Sequence, residues 1–331
     1  MIFRTEIQPN PSHVKITHKS GMLFIGSCFT ENIGVKLKEL AFPVLINPTG
    51  IVYNPLSVKR SLEILVEGKE YTENDVFHFN DLYYSFDHDT SFSHPELNEC
   101  LKVINTNLIE GQEQLAKASL ILITFGTAWV YLHKKSQNLV SNCHKIPSSE
   151  FNRKLLSVEE IVSEYLILIN NMQKINPGIK FIFTVSPVRH WKDGAVGNQI
   201  SKSSLVLAVH KLIEKLKGTA EYFPAYELLL DDLRDYRFYA NDLLHPSDEA
   251  IAYIWEKFSG VYFDHQTTEL IKEIAALASA AKHKPFNKET PAWNNFLEKN
   301  LQKVMDLNKK YPFLDLSSYE KYFRDGIQDH E

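Results

Sequence analysis

The segment LFIGSCFTENIG, Leu23–Gly34, decides the fold because an apolar run gives way to a polar helical pattern within three residues. The run Met22–Ile25 is apolar without alternation, as in strands that are covered on both faces. Thr30 can cap the helix predicted for ENIGVKLKEL, in which apolar residues recur at helical spacing. A strand that feeds a helix places Ser27 or Cys28 at the carboxyl end of the strand, where open α/β sheets hold functional side chains.

Strand and helix patterns alternate along the rest of the chain. Leu120–Phe125 and KFIFTV are typical of buried strands, EYFPAYELL of a short fourth strand, and WVYLHKKSQNLVSNCHKIP of a hairpin. Helices are predicted from about Leu56 to Glu67, after the capping box that starts at Ser157, in SKSSLVLAVHKLIEKLKG, and from Ser247 to about Phe258. This order predicts a mostly parallel sheet with helices on both faces.

Two parts of the chain lie outside this alternation. Residues 70–100 are rich in aromatic side chains and have no assignable period, so they are interpreted as an insertion. From about Thr267 onward the pattern is helical and more charged, which predicts two amphipathic helices in ALASAAKHKP and NNFLEKNLQKVMDLNKKYP. We expect these helices to pack on the core as a C-terminal extension.

Composition excludes several classes of protein. The 331 residues carry a net charge of −5, so there is no chain-wide basic footprint for nucleic acid. The three cysteines are odd in number and widely spaced, which does not form a disulfide framework and fits a reducing compartment. The start of the chain lacks a signal-peptide pattern, and no segment offers 18 apolar residues for a membrane span. We therefore expect a cytoplasmic protein with a small-molecule partner, without nucleic-acid or membrane partners.

The candidate chemistry rests on two segments far apart in sequence. Motifs of the G-x-S-x-G, Walker A, G-x-G-x-x-G and H-E-x-x-H types are absent. What remains is Ser27 at a strand end and the run NDLLHPS, in which Asp242 and His245 are three residues apart. A serine needs an imidazole to take its proton, and a carboxylate beside that imidazole fixes its tautomer.

A set of longer motifs resembles one known family. GSCFTENIG, NPTGIVYNP, TFGTAWVY, CHKIP, TVSPVRHWKDG with SKSSL, and RDYRFYANDLLHP occur in the order expected of the GSCFA family, over about residues 20–260. Thr30 stands where the family usually has alanine. The family resembles the SGNH hydrolases, which implies a flavodoxin-like three-layer α/β/α sandwich. The expected organisation is an SGNH-like GSCFA domain over residues 1–262, with the insertion at about 70–100, and a helical extension over 263–331.

The resemblance also implies roles for individual residues. Ser27 is the expected nucleophile, His245 the general base and Asp242 its orienter, with the Ser27 backbone amide as one donor of the oxyanion hole. The implied activity is cleavage of an acyl ester through a Ser27 acyl-enzyme, as in an esterase or a carbohydrate O-deacetylase. The implied substrate is a small-molecule or saccharide ester, and neither a cofactor nor a metal is expected.

The remaining oxyanion positions transfer less completely. Gly50 is the expected second amide donor, and Gly126 in FGTAW marks the third block. Two residues after that glycine the superfamily carries an asparagine, whereas this chain has an alanine. Losing one oxyanion donor costs roughly a hundredfold or more in rate. Four residues are candidates to replace the asparagine: Asn54, Thr127, His144 and Arg189.

Several alternatives stay open at the level of sequence. Ser27 alone could be a small residue that caps a helix, and a reactive Cys28 would need a cationic neighbour. Arg189 and His190 follow a strand end, where they either line a ligand site or form a buried ion pair. The alternative functions are a non-catalytic binding protein on the same fold and an acyltransferase that uses the same triad.

Overall fold

A computed structural model describes residues 4–328 of the chain, so the outermost residues of the two predicted domains, 1–3 and 329–331, lie outside the described residues. The strands are β1 (Met22–Gly26), β2 (Val44–Ile46), β3 (Phe77–Phe79), β4 (Leu82–Tyr84), β5 (Leu120–Phe125), β6 (Trp129–His133), β7 (Leu139–Val140), β8 (Phe151–Leu155), β9 (Lys180–Val185) and β10 (Ala220–Tyr222).

The α-helices are α1 (Cys28–Glu39), α2 (Pro55–Glu67), α3 (Leu97–Lys117), α4 (Val158–Ile175), α5 (Gly194–Lys215), α6 (Ala225–Glu227), α7 (Asp248–Tyr262), α8 (His265–Lys282), α9 (Pro291–Lys310) and α10 (Ser317–Gln328). Short 3-10 helices cover Glu73–Asp75, Thr90–Phe92, Ser148–Glu150, Trp191–Asp193 and Tyr236–Phe238, and a π-helical turn at Leu228–Asp232 continues α6.

The central sheet is parallel and has five strands in the order β10-β9-β5-β1-β2. Counted along the chain within this sheet, the order is 2-1-3-4-5, which is that of flavodoxin-like folds. The switch in strand order lies between β1 and β5, whose register pairs Gly26 with Thr124. The two strands therefore end together, and ligands of such sheets bind in the crevice at this point.

Helices cover both faces of the sheet because successive strand side chains point to opposite sides. On one face, Leu23, Ile25 and Ile123 pack with residues of α2 to α5. On the other face, Met22 and Phe24 pack with residues of α1 and α7. The fold is therefore a three-layer α/β/α sandwich, as the sequence predicts.

The predicted insertion is ordered and forms part of the covering layer. Strands β3 and β4 form an antiparallel hairpin, and α3 begins at Leu97. Strands β6, β7 and β8 form a second small antiparallel sheet, so the predicted hairpin gains a third strand. Strand β8 has no apolar pattern that would predict it because its middle residues are exposed and polar, and β2 is too short to predict because it has only three residues.

The C-terminal region contains three helices where two were predicted. Helices α8, α9 and α10 share their own apolar cluster, which includes Ile274, Leu297, Val304 and Phe323. Helix α10 was missed because polar and charged residues dominate its sequence, SSYEKYFRDGIQ, and Phe323 is its one buried member of that cluster. Tyr319 donates a hydrogen bond of 2.5 Å to the carbonyl of Glu39, which ties α10 to α1.

Candidate active site

A cavity of about 410 Å³ opens at the carboxyl ends of β1, β5 and β9. It is therefore located where a parallel sheet with this strand order holds its ligands. Its wall includes Ser27, Cys28, Thr127, Arg189, His190 and His245, together with Asn54 and the aromatic side chains of Tyr53, Trp129, Tyr131 and Trp191. The cavity thus brings together residues that are far apart in the sequence.

Ser27 occupies the single residue between β1 and α1. Its backbone is extended (φ −74°, ψ 175°) and caps the helix, whereas the sequence pattern had suggested Thr30 as the cap. The preceding Gly26 has φ +140°, and a Cβ at this position would lie 2.3 Å from the carbonyl oxygen of Thr124. Only glycine fits there, so the strand can end one residue before the helix.

The Ser27 hydroxyl has an unusual environment. The residue is 1% exposed, its Oγ has no hydrogen-bond partner within residues 4–328, and it does not bond to the helix amides as a capping serine would. A buried polar atom without a partner is costly, so its presence in this cavity needs an explanation. The same atom makes no hydrogen bond to His245, although both residues line the cavity.

Cys28 lines the same cavity but is a poor candidate nucleophile. Burial raises the pKa of its thiol, and the charge of Glu31 raises it further. Helix amides and Lys202 act in the opposite direction but do not outweigh burial. Since the thiolate is the nucleophilic form, this environment disfavours a reactive Cys28.

Asp242 and His245 form a hydrogen-bonded unit within one turn. The Asp242 Oδ2 atom lies 2.5 Å from Nδ1 of His245, and Oδ1 accepts hydrogen bonds from the amides of Leu244 and His245. These amides, with the imidazole, lower the pKa of Asp242 to about 2. An ionised Asp242 holds the proton on Nδ1 and leaves Nε2 of His245 as the atom that can accept a proton.

The loop after β5 does not supply free backbone amides. The amides of Gly126 and Thr127 both donate to the carbonyl of Tyr53, at 2.7 and 3.0 Å. The Thr127 hydroxyl pairs with that of Ser201 and accepts from the amide of Trp129. Of the expected oxyanion donors in this loop, neither amide is available, and the Thr127 side chain is already bonded although it lines the cavity.

Gly50 and His144, which the resemblance suggested as oxyanion donors, are not among the residues that line the cavity. The Gly50 amide donates to the carbonyl of Asn47, and its left-handed backbone (φ +85°) brings it against Asp89. His144 is buried among aromatic rings of the β3–β4 region, and its Nε2 contacts the carbonyl of Ser85 at 2.7 Å. Both residues therefore contact the insertion and help to hold it in place.

Asn54 is a buried residue of the cavity wall with a local structural role. Its Oδ1 accepts from the amide of Ser57 and so caps α2, and its Nδ2 donates to the Ser57 hydroxyl. Capping uses the carbonyl side of the amide, while Nδ2 carries a second hydrogen. Asn54 is thus fixed in place beside the cavity.

His190 is another cavity residue with an unpartnered buried atom, as are Trp129 and Ser141. Its Nε2 has no hydrogen-bond partner within residues 4–328, and it would lie 3.0 Å from a Cβ added to Gly126. Burial, followed by the charges of Lys202 and His245, lowers the pKa of His190 to about 4. The ring is neutral near pH 7 and has no ion pair, contrary to one of the sequence alternatives.

Lys202 is a residue of this site that the sequence analysis missed. It is fully buried, and its Nζ donates to the carbonyls of Gly126 and Ser186, at 2.6 and 2.7 Å. Burial lowers its pKa to about 7. The signal was present in the sequence, because Lys202 falls on the same helical stripe as Asn198, Leu205 and Val209.

Clusters of metal-binding side chains and membrane-spanning helices are both absent from residues 4–328. Among residues 4–328, no group of three or more His, Cys, Asp or Glu side chains could hold a metal ion. Within the same part of the chain, no helix combines the length and the apolar character that crossing a membrane requires.

Solved structures of other proteins are similar to this chain. One similar structure is a carbohydrate esterase of family 3 from Talaromyces cellulolyticus, with 12% identity, coverage of 76% of this chain and 98% of that chain, and a TM-score of 0.33. Another is an acetyl xylan esterase from the rumen bacterium Butyrivibrio proteoclasticus, with 10% identity, coverage of 75% and 64%, and a TM-score of 0.36. No curated protein matches the sequence.

Family models match two consecutive parts of the chain. The model described as the GSCFA family matches residues 21–258, and the model of the C-terminal domain of GSCFA domain proteins matches residues 274–329. The first match includes Ser27, the loop at Gly126 and the Asp242–His245 turn, and it spans more than half of the sequence. The chain belongs to the GSCFA family.

Proposed function

We propose that this protein is a serine hydrolase that cleaves acyl esters, with Ser27 as the nucleophile, His245 as the general base and Asp242 as its orienter. The observation that carries the proposal is the Ser27 hydroxyl, buried without a partner in the same cavity as a histidine whose other nitrogen is bonded to a carboxylate. This combination supports nucleophilic catalysis because each member of a triad is needed in that role.

The proposed reaction proceeds in two steps. His245 Nε2 takes the proton of Ser27 as Oγ attacks the ester carbonyl, and the tetrahedral intermediate collapses when His245 returns the proton to the leaving alcohol. Water then attacks the acyl-enzyme, His245 takes its proton, and the carboxylic acid leaves as Ser27 is protonated again. Asp242 stays ionised and stabilises the imidazolium in both steps.

We propose two donors for the oxyanion hole. The first is the backbone amide of Ser27, the residue immediately before α1, which has no acceptor within the helix. The second is the unpartnered Nε2 of His190, as a neutral imidazole N–H, in place of the asparagine that the FGTAW loop lacks. Of the four residues predicted for this role, Asn54 and Thr127 already have partners, His144 lies outside the cavity lining, and Arg189 is considered below.

The proposed substrate is a small-molecule or saccharide ester. The cavity wall combines aromatic rings with a few polar groups, as is usual for small-ligand sites. We also propose that the protein works in the cytoplasm without a cofactor, as the cysteine usage and the residues of the triad predict. An acyltransferase would use the same triad, with a second alcohol in place of water.

The proposal is tested by steady-state hydrolysis of 4-nitrophenyl acetate. We expect turnover by the wild type and a fall of kcat by a factor of about 10⁴ or more in Ser27→Ala and in His245→Ala, since the members of a triad act as a unit. Cys28→Ala is the matched control, because this thiol lines the same cavity but has no part in the mechanism.

Three outcomes would contradict the proposal. If Ser27→Ala retained wild-type turnover, the nucleophile would be elsewhere. If Cys28→Ala abolished turnover while Ser27→Ala did not, the reactive group would be the thiol. A folded wild type without any turnover, tested together with longer acyl chains, would favour the non-catalytic binding protein.

A further inference from the structure

Arg189 lies on the wall shared by two neighbouring cavities. One is the active-site cavity, and the other, of about 340 Å³, is lined by residues of α5 and of the segment from Tyr226 to Tyr239. Arg189 lines both of them. A substrate longer than a simple ester can therefore extend from the triad past this arginine.

Most other charges at these two cavities are already paired. Arg153 forms a two-pronged ion pair with Asp193, at 2.8 and 2.9 Å. In the second cavity Arg234 pairs with Asp231. Asp235, the acidic residue of that wall, lies 3.8 Å from Arg237. The carboxylates near these two cavities therefore already have cationic partners and are not free to neutralise a further cation.

Arg189 has no such partner in residues 4–328. No carboxylate in this part of the chain lies within 4 Å of its guanidinium, and the group makes no hydrogen bond there. Its plane lies over the ring of Trp191, with the carbon of the guanidinium 4.2 Å from the ring centroid. Stacking restrains the group while its N–H donors stay free, and such a planar fork matches carboxylate and phosphate oxygens.

A backbone hydrogen bond of Arg189 indicates which half of the ester would lie near it. Its backbone amide donates to the carbonyl of Leu244, the residue before His245. In the proposed reaction His245 gives its proton to the leaving alcohol, so the alcohol half of the substrate leaves on the side of this turn. An anionic group on that half would come close to Arg189.

We propose that Arg189 binds a carboxylate or phosphate on the alcohol half of the substrate, so that the natural substrates are acyl esters of anionic alcohols. The inference rests on the proposed function for its orientation of the ester. Lys192 adds positive charge to the same rim, although its Nζ already donates to the hydroxyl of Tyr131.

The test compares 4-acetoxybenzoate with its neutral counterpart 4-acetoxybenzamide. We expect the wild type to favour the anion, and Arg189→Gln to lower the ratio of the two kcat/KM values by about tenfold or more, mainly through KM of the anionic ester. Arg189→Lys should keep part of the preference for the anionic ester, because lysine has the positive charge of arginine but not its planar set of N–H donors. Arg234→Gln, which removes an ion-paired arginine of the neighbouring cavity, should leave the ratio unchanged.

A binding measurement separates this inference from the proposed function. Calorimetric titration of the product 4-hydroxybenzoate should give a Kd about tenfold lower than that of 4-hydroxybenzamide, with the difference lost in Arg189→Gln. If neither ester is cleaved but this difference is found, the hydrolase proposal fails and the anion site stands. An unchanged preference in Arg189→Gln, or an equal loss in Arg234→Gln, would overturn the assignment to Arg189.

Discussion

At the scale of single residues, four buried atoms of the cavity wall have no hydrogen-bond partner within residues 4–328, and Nε1 of Trp129 and Oγ of Ser141 are two of them. The proposed chemistry uses the other two, Oγ of Ser27 and Nε2 of His190. In the folded protein each of these two atoms is buried and makes no hydrogen bond within residues 4–328, which costs free energy. A substrate carbonyl between them would meet both at once, first as the atom under attack and then as the oxyanion. We therefore propose that these two atoms stay without hydrogen bonds, at a cost in folding free energy, because catalysis uses them.

The first prediction concerns His190. Because an oxyanion donor acts mainly in the transition state, His190→Phe should lower kcat for 4-nitrophenyl acetate by about a hundredfold and change KM little. His190→Asn, which keeps a side-chain N–H, should retain more activity than the phenylalanine variant. Steady-state kinetics of the two variants provide the measurement.

A matched control for His190 is available in the same protein. His144 is also buried with a lowered pKa, but it belongs to the aromatic cluster of the insertion. His144→Phe should therefore affect stability and leave kcat within a few fold of the wild type. Equal losses of kcat in His144→Phe and His190→Phe would show a general effect of core histidines and contradict the role of His190.

The sequence points more directly to the proposed nucleophile and its partners than to the donors of the oxyanion hole. Ser27, Asp242 and His245 have local signatures, namely a strand end and a turn with a three-residue spacing. The donors have no such signature, because whether an amide or a ring nitrogen is free depends on its neighbours. Gly50 is the plainest case, since its amide is used by a turn to Asn47 that the sequence did not reveal.

At the scale of elements, α5 links the active site to the core through Lys202. This side chain enters the apolar layer and holds the carbonyls of Gly126 and Ser186, the residues that follow β5 and β9. Both carbonyls would lose a donor without it, at about 1–3 kcal/mol each. The lysine thus holds together the residues that follow two neighbouring strands, and one of these residues, Ser186, lines the cavity.

The second prediction is a dependence of stability on pH. Burial lowers the pKa of Lys202 to about 7, so between pH 7 and about 10.4 the folded protein binds fewer protons here than the unfolded chain. Its contribution to the free energy of unfolding therefore rises with pH in that window and is constant below it. The slope is at most about 1.4 kcal/mol per pH unit.

Urea unfolding at pH 7, 8 and 9 measures this contribution. The difference in unfolding free energy between the wild type and Lys202→Met should increase with pH, while the shifts of other groups cancel. Lys211→Met, on the exposed side of the same helix, should show a difference that does not change with pH. A flat difference for Lys202→Met would mean that the lysine stays charged in the folded protein.

Elements were predictable where their sequence pattern is distinctive. The strands β1, β5 and β9 are mostly apolar runs, and α4 begins at the capping box of Ser157, so the sequence predicted all four. By contrast, β2 has only three residues, too few for a recognisable pattern. Helix α3 was missed because the aromatic segment before it hides where the helical pattern starts.

At the scale of the whole molecule, the C-terminal helices have their own apolar cluster and sit away from the active-site cavity. The contacts that join them to the sandwich include the hydrogen bond from Tyr319 to Glu39, the ion pair of Lys282 with Glu39 at 2.7 Å, and Lys19 over the ring of Phe313. We keep the proposal that residues 263–331 form an extension that packs on the core.

The third prediction follows from this arrangement. Leu297→Ala removes a fully buried side chain of the C-terminal cluster and should lower the free energy of unfolding of that region by about 2–5 kcal/mol. The kcat/KM of the folded variant should stay at the wild-type level, because no cavity residue is changed. Met305→Ala, at an exposed position of the same helix, should cost much less.

Thermal unfolding and ester hydrolysis measured on the same samples check both parts of this prediction. A loss of activity in Leu297→Ala at temperatures where the variant is folded would mean that the extension shapes the active site. A loss of stability in Met305→Ala equal to that of Leu297→Ala would contradict the burial argument.

The central claim is that Ser27 is a nucleophile activated by the Asp242–His245 pair, and covalent labelling tests it most directly. A fluorophosphonate probe transfers its phosphonyl group to an activated serine oxygen, and peptide mass spectrometry locates the adduct. The account predicts one adduct per chain, on Ser27, absent in Ser27→Ala, formed at least about a hundredfold more slowly in His245→Ala and unaffected in Cys28→Ala. An unlabelled Ser27 in the folded wild type, or labelling of Ser27 at the full rate in His245→Ala, would contradict it.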